Sequence, residues 1–391
     1  GMMVQIILQE LLYAIGRFFI NPLLYVAIFF AIVLGYCRVK RERKFFHIRI
    51  VHGWSEMKSI LKIGWVTSIL LSVITVAAGL TLPVELLISV TVITTVVIIL
   101  FNFHFLSAII TWTIAYGLLI WMDTQNLSVR IFDYTVNGIS FDSTAITAVV
   151  IVIGLLLMVE GLLISRDGAH FASPIVEKTK RGLKSIAYYS KKLWVIPVFF
   201  IVPSNVIEGY LPWWPLLPLG SEQFGLVLFP VVIGFQQTTR RLLPSRFYPK
   251  LGRNVRILGE VVVLGGVASY FDYRIAYATV LVAILVRVAL SFSYKVKERK
   301  DLYAVAPSKD GVVIAAVLPG SPAEKMGLRV GEIIKRVNGQ DVLSERELYE
   351  ALQINAAHCK LEVLDERREI RLTQYVVHNN DHHQIGLLIV K

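Results

Sequence analysis

Long apolar runs separated by short polar segments fill the first 300 positions of the chain. A membrane core of about 30 Å needs roughly 20 mostly apolar residues per helix. The pattern therefore predicts a polytopic α-helical domain with about six to nine spans, the candidates being residues 18–36, 63–80, 84–101, 105–121, 144–164, 193–211, 219–236, 257–271 and 275–293. Residues 4–16 could also form an amphipathic helix along the membrane surface.

After Asp310 the periodicity changes to short alternating segments separated by turn residues. The pair Asn338-Gly339 indicates a tight turn, and Ser344 with Glu347 forms a capping box at the start of a helix. The pattern predicts a small α+β domain of about five to six strands and two helices. The strands are expected near 311–317, 330–337, 359–364, 369–376 and 385–390, and the helices near 321–327 and 345–355.

Charge divides the chain into the same two parts. Hydrophobic residues make up 55% of the chain and charged residues only 17%, whereas an ordinary soluble domain is about 25% charged. Residues 1–300 hold 29 Lys and Arg against 15 Asp and Glu, while residues 301–391 hold 11 against 13. We therefore predict a membrane domain at 1–300 and a soluble domain at 301–391. The basic charge is attributed to membrane topology and not to nucleic-acid binding.

Four basic segments determine the predicted topology. They contain 25 of the 29 Lys and Arg residues of the N-terminal part and comprise residues 38–62, 165–192, 237–256 and 295–300. The positive-inside rule places loops rich in Lys and Arg in the cytosol. Because the C-terminal domain directly follows the last basic segment, we expect it in the cytosol, and we expect the N-terminus outside.

Few charged residues fall inside the predicted spans, which argues against an ion pathway. Glu260 and Arg287 lie in the last two predicted spans, at similar depths from the cytosolic boundary. The cost of a lone charge at that depth predicts a structural ion pair between them. Alternatively, each side chain reaches the interface independently. Glu160 lies about one turn from the predicted cytosolic boundary, where water would reach it.

The sequence carries no recognisable motif of catalysis or metal binding. None of the eight histidines forms the His-Glu-x-x-His motif of zinc proteases, and neither a serine-protease nucleophile motif nor a Gly-x-x-x-x-Gly-Lys phosphate loop occurs. His378, His382 and His383 are predicted to be ordinary loop histidines, and Cys37 and Cys359 suggest neither a disulfide framework nor a metal site. We predict no catalytic residue, no metal and no cofactor.

An ordered set of short motifs runs through the C-terminal domain: Gly311-Val-Val-Ile, Pro319-Gly-Ser-Pro-Ala, Gly327-Leu, Gly331-Glu-Ile-Ile and Val337-Asn-Gly. Together they resemble a bacterial-type PDZ domain. The apolar-Gly-apolar strand found before this region in the best-known PDZ domains is missing, whereas Ile385-Gly-Leu-Leu occurs at the end of the chain. The resemblance therefore implies a permuted strand order in which the groove strand comes last.

The candidate peptide site is a groove between the last strand, Leu387–Val390, and the helix Glu345–Ile354. PDZ domains add an extended peptide to a sheet edge. The resemblance implies that backbone N–H groups near Ile385 and Gly386 receive the peptide carboxylate. It also implies peptide-binding side chains at Leu387 and Leu388 on the strand and at Leu348 and Leu352 on the helix. Alternatively, the strand only completes the sheet and the groove is blocked or unused.

The order of the parts, a polytopic domain followed by one PDZ domain, resembles the MinJ family of cell-division topological determinants, and the opening run Gly16-Arg-Phe-Phe-Ile-Asn-Pro-Leu-Leu-Tyr25 is similar to the start of that family. The resemblance implies a scaffold that links the polar protein DivIVA to MinD at cell poles and septum. Two other functions stay open: an accessory subunit of a membrane protease or secretion machine, and a transporter-like protein with a regulatory PDZ domain. The expected partners are proteins and the phospholipid bilayer, without nucleic acid.

Overall fold

The computed structural model describes residues 1–46, 64–131, 134–170, 172–179, 181–209, 211–298, 303–355, 357–376 and 385–390. Within these ranges the N-terminal region, residues 1–298, contains eight α-helices: α1 (Met2–Phe18), α2 (Pro22–Phe46), α3 (Trp65–Ala78), α4 (Val84–Ile99), α5 (Ala108–Thr124), α6 (Ser143–Asp167), α7 (Pro244–Ser269) and α8 (Arg274–Glu298). Three of the described helices contain a segment long and apolar enough to cross a membrane, at Pro22–Phe45, Ser143–Asp167 and Arg274–Ser293.

Five strands lie between these helices. A short hairpin joins β1 (Ser128–Ile131) to β2 (Tyr134–Asn137), and a three-stranded antiparallel sheet has the order β3 (Ser173–Lys178), β4 (Lys184–Glu208) and β5 (Gln223–Thr239). The prediction of helical spans at 193–211 and 219–236 is therefore wrong. Both segments belong to a long β-hairpin that is largely buried among the helices.

Prolines explain why these apolar runs form strands and not helices. Pro197 and Pro203 lie in β4 and Pro230 in β5, and each would cost about 3 kcal/mol inside a helix. Pro197 and Pro230 are directly opposite each other in the ladder. Phe199 lies two residues after Pro197 in β4, and Gly234 lies four residues after Pro230 in β5, so each faces the same edge as the proline of its strand. The N–H groups of Phe199 and Gly234 both donate outside the hairpin. The two proline nitrogens therefore also point outward, and no bond between the strands is lost.

Side chains and neighbouring backbone cover both edges of the β4–β5 hairpin. On the β4 edge, Ser72 Oγ of α3 accepts from the Phe199 N–H over 3.0 Å, and Thr75 Oγ1 donates to the Phe199 carbonyl over 2.7 Å. On the β5 edge, the Leu226 N–H donates to the Glu10 carboxylate of α1 over 3.1 Å. A backbone N–H or C=O group without a hydrogen-bond partner in an apolar environment costs roughly several kcal/mol. Polar residues of α1 and α3 thus make a buried hairpin possible.

Helices α6 and α7 approach closely because glycines lie at their contact. A Cβ atom on Gly161 would meet the backbone of Gly252, and one on Gly154 would meet Gly259. Such small residues let helix backbones pack directly against each other. Strand β5 ends at Thr239 and helix α7 begins at Pro244, so most of the predicted basic loop 237–256 is helical and only residues 240–243 connect the two elements.

The C-terminal domain contains β6 (Val312–Val317), α9 (Pro322–Lys325), β7 (Ile333–Val337), β8 (Gln340–Asp341), α10 (Glu345–Ile354), β9 (His358–Leu364), β10 (Ile370–Val376) and β11 (Leu387–Ile389). The sheet order is β10-β9-β7-β6-β11, and β8 pairs with β7. The strand that comes last in sequence thus lies at an edge of the sheet, beside the first strand of the domain. This arrangement confirms the predicted α+β fold and its permuted strand order.

Candidate peptide-binding groove

Strand β11 has one edge paired with β6 and the other edge directed away from it. Leu387 lies opposite Val317, and the Leu318 N–H donates to the Gly386 carbonyl over 2.8 Å. This pattern identifies Leu387 and Val317 as a non-hydrogen-bonded pair of an antiparallel ladder. The N–H and C=O of Leu387 consequently point to the outer edge, where an added strand could bond to them. We call the space between this edge and α10 the β11 groove.

Gly386 has a backbone conformation and a neighbour that both require glycine. Its φ is +89°, and an added Cβ would meet the Ser321 side chain. Ser321 caps α9 by accepting from the Glu324 N–H, and the Ala323 N–H donates to the Ile385 carbonyl over 2.8 Å. The loop before α9 therefore wraps tightly around the start of β11. The role of Ile385 and Gly386 in holding a peptide carboxylate stays a prediction.

Helix α10 presents a different side to the groove than the sequence suggested. Leu348 is fully buried in the PDZ core, so its predicted place in the groove is wrong, and Leu352 is half-buried against the same core. Glu345 lines a pocket together with Ile389 and Val390, and Tyr349 follows it by one turn on the same side of the helix. Burial raises the pKa of the Tyr349 hydroxyl, and the nearby Glu345 carboxylate raises it further. The sequence analysis did not identify this side of α10 as the groove side, although the i, i+4 spacing of Glu345 and Tyr349 was available in the sequence.

Leu388 belongs to an interface between the PDZ domain and the N-terminal region. Side chains of a strand alternate between its two faces, so Leu387 enters the PDZ core while Leu388 packs with Ile186 and Tyr188 of β4. The Tyr188 hydroxyl donates to the Ala315 carbonyl over 2.5 Å. The predicted contact of Leu388 with a peptide is therefore replaced by a contact inside the chain.

Polar contacts reinforce this interface. Arg240 forms a bidentate pair with the Glu177 carboxylate over 2.8 and 2.9 Å, and the Tyr303 hydroxyl donates to the same carboxylate over 2.8 Å. The hydrogen bonds from Arg240 hold the pKa of Glu177 below its ordinary value; burial opposes this shift, and the Tyr303 hydrogen bond supports it. The Ala304 N–H donates to the Arg240 carbonyl over 2.8 Å. The start of the PDZ domain is thus bonded to β3 and to the end of β5.

Arg287 has a buried partner, but it is Glu160. Its Nε lies 3.0 Å from Glu160 Oε2, and Glu160 is fully buried. The same carboxylate accepts from Ser107 Oγ over 2.9 Å and from the Ala108 N–H over 3.2 Å at the start of α5. A carboxylate is favourable at a helix N-terminus. Glu160 is therefore not at a water-accessible boundary as predicted.

Glu260 lies on the exposed side of α7, so its predicted pairing with Arg287 is wrong. Its side chain is 49% exposed and lies 3.7 Å from Arg256, one turn away on the same helix. The buried side of α7 carries Gly252, Gly259 and Gly266. Glu260 follows Gly259 by one residue, which turns its side chain roughly 100° away from that contact.

No group of three metal-ligating side chains occurs among the described residues. His378, His382 and His383 lie outside the described ranges. Cys37 and Cys359 are both free thiols, and burial raises the pKa of Cys359 in the PDZ core.

Sequence relatives place this architecture in a family. The PDZ domain profile matches residues 313–365. The chain is 32% identical over 383 residues to the cell division topological determinant MinJ of Bacillus subtilis (strain 168), covering 98% of this chain and 95% of the relative. The chain belongs to the MinJ family. A probable MinJ of Lacticaseibacillus paracasei is 26% identical over 61% of this chain and 64% of that protein.

A protease also shows similarity, over a much smaller part of the chain. The serine endoprotease DegS of Haemophilus influenzae is 42% identical over 45 residues, which is 12% of this chain and 13% of the protease. Such a short match is compatible with a shared PDZ segment and carries no catalytic domain with it. The MinJ family is named for a role in cell division and not for a reaction.

Proposed function

We propose that this protein is a membrane-anchored adaptor in bacterial division-site selection. It recruits division proteins to the cell poles and septum, with the β11 groove as one of its binding sites. The observation that supports this most directly is the outward-pointing backbone of Leu387, on an edge of β11 that pairs with no other strand among the described residues. A peptide needs such an edge for strand addition. Similarity to MinJ over nearly the whole chain supplies the cellular context.

The proposed arrangement is a multi-pass membrane protein with its PDZ domain in the cytosol. The described helices include three that could span a membrane and three shorter apolar ones. Exposed Arg43 and Lys44 lie in the last turn of the apolar helix α2. Exposed Arg253 and Arg256 lie in the first half of α7. Such residues favour the cytosolic side. The partners expected by family resemblance are a DivIVA-like protein and a MinD-like protein, which the adaptor would bridge.

Localisation with genetic complementation tests the proposal. A fluorescent fusion of the full chain should form septal and polar foci and restore normal division in a strain that lacks its MinJ relative. A uniform membrane signal without restored division would contradict the adaptor function. Crosslinking from intact membranes should then recover DivIVA-like and MinD-like proteins.

A groove variant tests whether the PDZ domain takes part. Tyr349→Glu adds charge to the half-buried groove side of α10, whereas Arg346→Glu changes a residue whose side chain is 86% exposed on the same helix. Only Tyr349→Glu should weaken partner capture while both proteins remain folded. Equal capture by the two variants would show that the partners bind elsewhere.

A further inference from the structure

A pocket of about 120 Å³ lies where the outer edge of β11 meets the N-terminal region. The PDZ domain and the N-terminal region both line it. The PDZ residues are Leu388, Ile389, Val390 and Glu345, and the others are Phe45 of α2 and Val176, Lys184 and Ile186 of the β3–β4 hairpin. An extended peptide on β11 would therefore have both parts of the chain as neighbours.

The position of the pocket along β11 determines which peptide residues could enter it. A carboxylate near Gly386 requires the peptide to run antiparallel to β11, with its chain extending toward Val390. Because paired strands match residue for residue, Ile389 and Val390 lie opposite peptide residues about three to four positions before the C-terminus. At about 3.3 Å per residue, the pocket begins some distance beyond the last peptide residue.

The N-terminal side of this pocket is basic. Lys184 is exposed, and Lys40, Arg43 and Lys44 are exposed on the last turns of α2 next to Phe45. The acidic residue in that stretch, Glu42, is buried and lies 2.9 Å from Arg38. The charge pattern therefore favours acidic residues farther from the peptide terminus.

We infer that this pocket is the upstream half of a composite peptide site, in which the N-terminal region binds residues that the PDZ domain does not contact. The inference rests on the proposed use of the β11 groove. The occupant is the C-terminal tail of a partner protein with acidic residues about four to six positions before its end. Lys184 attracts these residues, and an apolar residue between them and the terminus contacts Phe45 and Ile389.

Selection from a displayed library of random ten-residue C-terminal peptides tests the inference, using the full chain in lipid nanodiscs. The variant is Lys184→Glu. It is expected to fold, because Lys184 lies opposite Lys178 in the β3–β4 ladder and the change replaces like charges by opposite ones. The control is Lys360→Glu, an exposed lysine of β9, because β7 and β6 separate that strand from β11.

The wild-type protein and Lys360→Glu should enrich acidic residues upstream of a common terminal residue. Lys184→Glu should keep the terminal residue and lose the acidic preference, and a synthetic peptide of the enriched sequence should bind it about tenfold more weakly. The same upstream preference in Lys184→Glu would overturn the composite site and leave the groove intact. If no protein enriches any C-terminal sequence, the groove itself, and with it the composite site, is refuted.

Discussion

Arg287 Nε and Glu160 Oε2 lie 3.0 Å apart, and their side chains are only 7% and 0% exposed. Because Glu160 also accepts hydrogen bonds from Ser107 and Ala108, one carboxylate connects α6 to α8 and to the N-terminus of α5. Breaking such a pair leaves a buried charge without compensation.

Arg287→Met should therefore lower the free energy of unfolding by about 3–5 kcal/mol. The matched control is Arg256→Met, because Arg256 and Glu260 form an ion pair that is about half exposed; its loss should be below about 1 kcal/mol. Unfolding of both variants in the same detergent measures the difference. Similar losses would mean that the Glu160–Arg287 pair contributes no more than a surface pair.

The hydroxyl groups that cover the hairpin edge can be tested by isosteric substitution. Thr75→Val removes the hydrogen bond to the Phe199 carbonyl in β4, whereas Thr95→Val removes only a bond to Thr91 in its own helix. We expect a loss of about 1–3 kcal/mol for Thr75→Val and a smaller loss for the control. Thermal unfolding in detergent provides the comparison, and equal losses would contradict the covering role of α3.

Glycine substitutions separate backbone strain from steric contact in the PDZ domain. Gly386 and Gly320 both have positive φ, but only Gly386 has a side chain, that of Ser321, where a Cβ would lie. Gly320→Ala should cost about 1–2 kcal/mol, and Gly386→Ala should cost more. Adding Ser321→Gly should recover part of the second loss, because glycine is tolerated at an N-cap. Hydrogen exchange of β6 measures the effect, and no recovery would contradict the proposed contact.

The contact between Glu177 and Arg240 makes the interface sensitive to acid. The pKa of Glu177 is held below its ordinary value of 4.5 by Arg240, so the ionised carboxylate stabilises the interface above that pH. This stabilisation is lost as the pH falls through the lowered pKa. At neutral pH, Glu177→Gln should exchange the Ala304 amide hydrogen faster than the wild type does. The two proteins should converge in acid, and a difference that persists below the lowered pKa would argue against this carboxylate.

Reporter fusions test the proposed topology. A reporter active only in the cytosol should function after Lys391, and one active only outside should function near Asp133; both positions lie outside the described residues. Export of the reporter at residue 391 would reverse the proposed orientation.

The PDZ fold was predictable because its turns and caps have local signatures. Ser344 accepts from the Glu347 N–H as the capping box predicts, and Asn338 and Gly339 both have positive φ in the expected turn. The β4–β5 hairpin was not predicted from hydropathy, because a buried strand and a buried helix are both continuous apolar runs. The spacing of Pro197, Pro203 and Pro230 was the available signal against helices.

The site was predicted only in part, because it depends on which side of each element faces the neighbour. The alternation of side chains along a strand is enough to place Leu387 and Leu388 on opposite faces of β11. The residues that pack against Leu388, however, lie far away in the sequence. Arg287 was expected to pair with Glu260, and depth along the helix could not show that Glu160 is its partner. The glycine repeat at Gly252 and Gly259 would have shown which side of α7 is buried.

The groups that cover the hairpin edges have a consequence for biosynthesis. Glu10, Ser72 and Thr75 precede β4 in the chain, and so does the Leu106 carbonyl, which accepts from the Gly234 N–H of β5 over 3.2 Å. Proteins are made from the N-terminus, so each of these groups has left the ribosome before the strand that needs it. The helices that carry these groups are therefore already present when the hairpin backbone that bonds to them is made.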